Sequence, residues 1–531
     1  MKKHNASKVA LITVLVFFLL TWILHAASYS SEFVDQGRSQ MGLSNLFYYL
    51  MVALQNFGDI AFFLILVGGF YGVLYKIPAY RNFLDAIVEK VNGKEKIVLS
   101  IFVVLIALAV SVGGAQIEIV LFLPFVISLI LLMGYDKIVA TFVVVGSIAA
   151  GLVGSTYGGN NLQSLTNYLS IAGDYQLGVR FAILLVGVML VIFNILMYIK
   201  SHSTKVKIAS KVEKEEEVKE EEVVVARPVE VPKKEVKKTT SKSSKKSTKK
   251  SSSKSRRSDN KAALKEEEVI VVKETVKEDK YVPAMVTKKH KTLPFIIIFA
   301  LLFVLFVMAI IPWETLKINV FKDVTTSVSE FKLFGFPIFA KLLGIYNPFG
   351  SWTFRDFFLP IALVTALLVI IYNVKFSEAF DGFVEGMKEA LVPVAVYVIV
   401  STTFVIMYYH PIYLTVYKVV LDWTGTKFNI ATTALVSLLS AIFHSDITFS
   451  FETLLPYYTG IIKETSHYEE VGIIVQSMYG LAALAVPTSL TLMATLAYLK
   501  VSYLEWLKKS WKLLVELFAV LMIVFIILSS I

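Results

Sequence analysis

The sequence predicts an all-α polytopic membrane protein, an inverted repeat with about nine transmembrane helices and two re-entrant hairpins. Three observations carry that reading. Of 531 residues, 56% are hydrophobic and 18% charged, whereas a soluble surface of this size needs roughly a quarter charged. Apolar stretches of about 20 residues, enough helix for a ~30 Å hydrocarbon core, recur along the chain. They fall into two halves that carry the same kind of interruption, one on each side of a charged insert.

The halves are 1–199 and 292–531, and the insert is 200–291. The insert holds 27 Lys and Arg against 16 Asp and Glu, so the net charge of +11 lies there and the flanks balance at 25 of each sign. So much charge with so little to bury predicts disorder. There is no cysteine, which excludes disulfides, thiolate metal sites and cysteine nucleophiles.

Taken in order, the expected spans are 9–27, 60–75, 139–172 with a break, 178–199, 293–312, 357–372, 392–409, 471–499 with a break, and 513–528. The first follows Lys2, Lys3 and Lys8 but lacks a small-residue cleavage site, and so reads as a span rather than a signal peptide. Two further apolar stretches, 97–133 and 428–459, are broken in the middle by Ser111 to Glu118 and by Ser440 to Thr448. They read as hairpins, because non-helical backbone at membrane depth needs protein or a wet cavity around it; two ordinary crossings joined by a short loop are the alternative. The positive-inside rule puts the N-terminus and the insert in the cytoplasm of a plasma-membrane protein. Lys76, Arg81, Lys90, Lys94, Lys96, Lys137, Lys500, Lys508, Lys509 and Lys512 then also lie inside. The first hairpin enters from the cytoplasm and the second from outside.

Each hairpin is followed by a broken helix: the stretch from Gly146 to Asn161, with Gly154-Ser155-Thr156-Tyr157-Gly158-Gly159-Asn160-Asn161 at its end, interrupts 139–172, and Tyr479-Gly480-Leu481-Ala482-Ala483-Leu484-Ala485-Val486-Pro487-Thr488-Ser489 interrupts 471–499. Paired interruptions in corresponding positions point to a midplane binding site, where half-helix ends offer unpaired N–H and C=O groups to a carboxylate or a cation.

Several short motifs, in this order along the chain, resemble the YfcC family of basic amino acid antiporters. They are Leu66-Val67-Gly68-Gly69-Phe70-Tyr71-Gly72-Val73-Leu74, residues 114–124, Gly134-Tyr135-Asp136, Gly154-Ser155-Thr156, Gly178-Val179-Arg180, Gly386-Met387-Lys388, and Pro487-Thr488-Ser489-Leu490-Thr491-Leu492-Met493-Ala494 with Trp506. That family stands with the DcuC-type dicarboxylate and AbgT-type carriers in the ion transporter superfamily. The resemblance implies nine spans, two hairpins, a scaffold domain that forms a homodimer and a transport domain that moves. This chain departs from the family at the site: Ile117-Glu118 replaces a Glu pair, Gly158-Gly159 an Asn-Pro, Ser445-Asp446-Ile447-Thr448 a Ser-Gly-Ser-Gly, and Val486 an Asn.

Glu118 and Asp446 are the leading site candidates, since an ionisable group inside a membrane costs ~2.5 to 3.5 kcal/mol or more; a wet loop or a structural pair is the plainer explanation. Gly114 and Ser445 stand beside them at the two breaks. Gly154, Ser155, Thr156, Asn160, Thr488 and Ser489 offer neutral oxygens and amides suited to Na⁺ or an amino-acid backbone, against simple small-residue packing. A Na⁺ site near Ser155 and Asp446 or coupling to H⁺ is open, with no other metal or cofactor expected. His444 is a proton-relay candidate, although a lone histidine more often serves a local hydrogen bond. Asp59 and Glu452 suit capping or pairing, and Arg180 an interfacial anchor.

Neither hairpin tip nor either broken helix carries Lys or Arg. This favours a cationic or zwitterionic small-molecule substrate, or an anion accompanied by cations, over a bare dianion; a secondary transporter of amino acids, with exchange of basic ones open, is expected, and an ion-coupled dicarboxylate or peptide-like anion carrier is the alternative. No Walker loop, His-Glu-x-x-His or Gly-x-Ser-x-Gly elbow is found, and the seven histidines are scattered, so neither an enzyme nor a metal site is expected. The remaining alternative is a membrane-anchored protein acting through its Lys/Ser tract. That tract suits anionic lipid at ~1 kcal/mol per basic residue, and nucleic acid is a poor fit for so elaborate an anchor.

Overall fold

In the computed structural model, residues 5–202, 281–284, 291–344, 347–444 and 446–530 are described. Ser445 and most of the insert lie outside them, and with the insert lies most of the disorder expectation.

The first half runs α1 (Asn5–Ile23), an antiparallel pair β1 (His25–Tyr29) and β2 (Phe33–Arg38), α2 (Leu43–Lys76), α3 (Pro78–Lys90) and α4 (Glu95–Gly113). A 3-10 turn, Glu118–Leu121, leads into α5 (Leu123–Leu132). Next come α6 (Lys137–Thr141) and α7 (Ser147–Val153), joined through a π-helical turn, then α8 (Gly159–Leu169) and α9 (Leu177–Ser201). The second half opens with α10 (Leu293–Ile310) and two short helices, α11 (Val320–Glu330) and α12 (Ile338–Leu343). It continues through α13 (Phe358–Ile371), α14 (Phe376–Tyr409), α15 (Tyr413–Leu421), α16 (Ile430–Phe443), α17 (Ile447–Ile461), α18 (Tyr468–Ala483), α19 (Leu490–Leu499) and α20 (Tyr503–Leu528).

Local chemistry sets many of these boundaries. Pro78 occupies the first turn of α3, where its missing N–H costs nothing, so α2 stops at Lys76. Gly114 ends α4 in the left-handed region at φ 66°, with its N–H on Val110 O and the next N–H on Ala109 O; only glycine takes that conformation freely. Asp136, Asn429, Asp446 and Ser489 accept backbone N–H bonds at the starts of α6, α16, α17 and α19.

The two halves repeat one plan. Helices α2 and α14 are both 34 residues long, each is followed by a short helix, a hairpin, a broken helix and a long last helix, and they pack against each other. A Gly68-x-x-x-Gly72 face meets a Gly382-x-x-x-Gly386 face. A Cβ on Gly72 would come 2.0 Å from Gly382 O, and one on Gly386 2.0 Å from Gly68 O, so the backbones touch as small-xxx-small helices do. The pairing is antiparallel: Tyr49 stacks on Tyr409 at one end, and Lys76 Nζ lies 2.7 Å from Glu385 Oε2 at the other. Equivalent helices that run antiparallel make the repeat an inverted one. Outside this pair, α1 packs on α14 as α13 packs on α2, and α7 meets α18.

Among the described residues, eight helices are long and apolar enough to cross a bilayer: α1, α2, α4, α9, α10, Phe354–Ile371 (α13 with its 3-10 entry), α14 and α20. Seven correspond to the expected unbroken spans, and the two broken ones appear as α6–α8 and α18–α19. The eighth, α4, was expected to be only one arm of the first hairpin. It is a 19-residue helix packed on α7 and α9, while the return arm α5 packs on α3 and α6. The second hairpin's arms, α16 and α17, do pack together. Three more differences matter. α2 and α14 extend far beyond 60–75 and 392–409, and they pair along that length, from Tyr49 on Tyr409 to Lys76 beside Glu385. Residues 24–38 form a strand pair that hydropathy does not reveal. Residues 281–284, placed in the disordered insert, are docked against the membrane half.

Candidate functional site

The hairpin tips and helix breaks surround a cavity of about 280 Å³. Four helix starts reach it: Glu118 at the 3-10 turn, Gly158 and Asn161 at α8, Asp446 and Ile447 at α17, and Ser489 to Leu492 at α19. Their N-terminal N–H groups give the cavity a partly positive backbone. Against this stand two acidic side chains, Glu118 and Asp446, the only charged residues among the described residues of its lining. Phe57, Tyr397, Tyr479 and the 352–354 loop supply aromatic and apolar wall.

Each carboxylate is anchored locally. Glu118 Oε1 accepts the Phe354 N–H at 3.0 Å, tying the tip to the loop before α13. Asp446 Oδ1 accepts the Phe449 N–H at 2.9 Å as the cap of α17, and Thr448 Oγ1 reaches Asn161 Oδ1 at 3.0 Å, tying the second tip to α8. Gly114 lies where the first tip meets the break: its Cβ would sit 2.5 Å from Gly158 O.

The expected residues therefore divide. Gly114, Glu118, Asp446 and Ser489 line the cavity. Gly154, Ser155, Thr156 and Thr488 are instead taken up in holding the breaks together. Ser111 at the end of α4 accepts the N–H groups of Thr156, Tyr157 and Gly158 on its carbonyl at 2.9 to 3.2 Å, and its hydroxyl donates to Gly154 O at 2.7 Å. The Ser155 hydroxyl turns to the same Ser111 carbonyl at 3.4 Å, so a Na⁺ position near Ser155 and Asp446 finds only Asp446 at the cavity. Gly154 packs its Cα against Leu184. Thr488 Oγ1 bonds Ala441 O at 3.3 Å, the matching tie in the second half. His444 is buried between the Tyr413 and Phe449 rings, with no hydrogen-bond partner on either ring nitrogen among the described residues and no place in the cavity lining. It makes no contact of a relay. Ser445 and the Asn160 side chain lie outside the described residues.

Arg180 corrects another expectation: it is fully buried, stacked 4.0 Å from the Tyr175 ring centroid and bonded to Gly173 O, not an interfacial anchor. Asp59 pairs with Arg355, whose Nε is 2.7 Å away, as expected of a structural carboxylate, and Glu452 is exposed. Sequence reasoning missed Gln116, Asn161, Tyr397, Tyr479 and Thr491, all in the lining. Tyr397 lies within the apolar run of α14, where nothing in the sequence sets it apart from a lipid-facing residue, and Asn161 stands beside Asn160 with the same side chain. A second, larger and mostly apolar chamber of about 510 Å³ shares Gln116, Ile117, Tyr397, Leu490 and Thr491 with the first.

Over residues 7–238 the chain matches the family described as DcuC, C4-dicarboxylate anaerobic carrier. A protein of Haemophilus influenzae, described as an uncharacterized protein, is 28% identical over 142 residues, covering 27% of this chain and 28% of that protein. The chain therefore spans well under half of that relative's length. The likeness is to DcuC-type carriers in general and does not single out the YfcC group. With eight membrane-length helices among the described residues, the chain is a multi-pass membrane protein that resembles secondary carriers.

Proposed function

We propose that this protein is a secondary active transporter of the plasma membrane that moves small carboxylate-bearing solutes by alternating access, amino acids first among them. The observation that carries this is the cavity's composition: helix starts from both halves face two carboxylates, Glu118 and Asp446, and no basic side chain among the described residues. An amino acid fits both features, its carboxylate at the helix starts and its ammonium near the acids. A C4-dicarboxylate entering with cations is the second reading, favoured by the description of the matched family.

A ligand that binds the folded state raises its melting temperature. In detergent, amino acids are expected to raise Tm at millimolar concentration and succinate-like dianions to do so only in the presence of Na⁺ or at low pH. Cation-independent stabilisation by dianions alone would overturn the amino-acid reading in favour of the second.

A further inference from the structure

The larger chamber is closed on one side by part of the insert itself. Tyr281, Val282, Pro283 and Ala284 line it, and Tyr281 is 2% exposed. Its ring lies against Tyr498, centroids 5.2 Å apart, and Lys137 Nζ sits 4.6 Å over its face. Its hydroxyl donates to the Tyr498 carbonyl, and its own carbonyl lies 2.6 Å from the Ser128 hydroxyl and 3.2 Å from the Tyr75 hydroxyl. Two residues on, Arg81 Nη1 donates to Pro283 O at 2.6 Å while its Nε holds Asp85.

The receiving surface has the character of a built site. Ser128 is fully buried and Arg81 is 4% exposed. With the segment gone, Nη1 of that buried guanidinium would lose its acceptor at Pro283, which is costly for a charged donor. Tyr281 is also the only Phe, Trp or Tyr between Ser203 and Lys291, so the one aromatic anchor of a charged tract is the residue that inserts.

We propose that Tyr75, Arg81, Ser128, Lys137 and Tyr498 form a peptide-binding site whose occupant is the chain's own Tyr281–Ala284, seated as a plug in the chamber that leads to the central cavity. The contacts stand without any assumption about transport; only the consequence, that the plug throttles passage of solute on the insert side, rests on the proposed function. Because the segment is tethered, a weak site suffices to keep it filled, and anything that draws on the insert can empty it.

The absence of cysteine makes the test direct. A single Val120→Cys, in the chamber lining, is labelled with a water-soluble maleimide in purified protein, with Val34→Cys on the exposed strand pair as the control site. Replacing Tyr281 to Ala284 by Gly-Ser-Gly-Ser, or making Tyr281→Ala, is expected to speed labelling at position 120 about tenfold or more, the factor for ~1.4 kcal/mol of lost docking, and to leave position 34 unchanged. A synthetic peptide spanning residues 278–287 added in excess is expected to slow it again. Unchanged labelling at position 120 in both variants, in monodisperse protein, would overturn the proposal. Faster labelling without uptake of any solute would keep the plug and remove the transport reading.

Discussion

At the scale of the residue, the two half-buried acids of the cavity each combine a local anchor with a face on the cavity. Asp446 caps α17 and faces the cavity, and asparagine caps as well as aspartate. Asp446→Asn is therefore expected to fold with Tm nearly unchanged and to lower solute binding about tenfold or more, the loss of ~1.4 kcal/mol or more, as read by calorimetric titration. Equal affinity in wild type and variant would make Asp446 a cap and nothing else. Glu118→Gln keeps an acceptor for the Phe354 N–H and is expected to behave alike. Ser111→Ala is the converse case: it leaves both acids in place but strips the hydroxyl from Gly154 O, so a fall in stability of ~1 to 3 kcal/mol is expected in denaturant titration. The acids were legible in the sequence because charge within an apolar stretch has few explanations. Ser155, Thr156 and Thr488 bond neighbouring backbone at Ser111 and Ala441, which the sequence does not show because a small polar residue at a helix break serves a ligand or a backbone equally well.

At the scale of the element, the inverted repeat is held at the α2–α14 contact. Gly72→Val puts side-chain atoms into the Gly382 and Gly386 backbone and is expected to lower thermal stability by several kcal/mol, since overpacking against backbone cannot be relieved by a rotamer change. Gly58→Ala, on the same helix with nothing near its Cβ, is expected to be neutral or slightly stabilising. Equal melting temperatures for the two variants would remove the glycine contact from the account. Hydropathy found the spans because lipid demands an apolar surface wherever it touches. It fell short at α2 and α14, which pair beyond their most apolar runs from Tyr49 on Tyr409 to Lys76 beside Glu385, and at α4, the first arm of the hairpin, which is by itself long and apolar enough to cross a bilayer.

At the scale of the whole molecule, the +11 charge is that of the insert, while the flanking halves balance and line the candidate site. Removing residues 205–277 while keeping Tyr281 to Ala284 is expected to leave solute binding intact, measured by the same titration; loss of binding would shift function to the basic tract. The central claim is transport through a cavity shared by both halves, and counterflow in proteoliposomes tests it most directly. Vesicles preloaded with unlabelled solute, assayed across amino acids and C4-dicarboxylates with and without Na⁺ and a proton gradient, are expected to accumulate at least one labelled solute saturably, and to lose this when Glu118→Gln and Asp446→Asn are combined. No saturable uptake of any solute by the wild-type protein, or undiminished uptake by the double variant, would contradict the account.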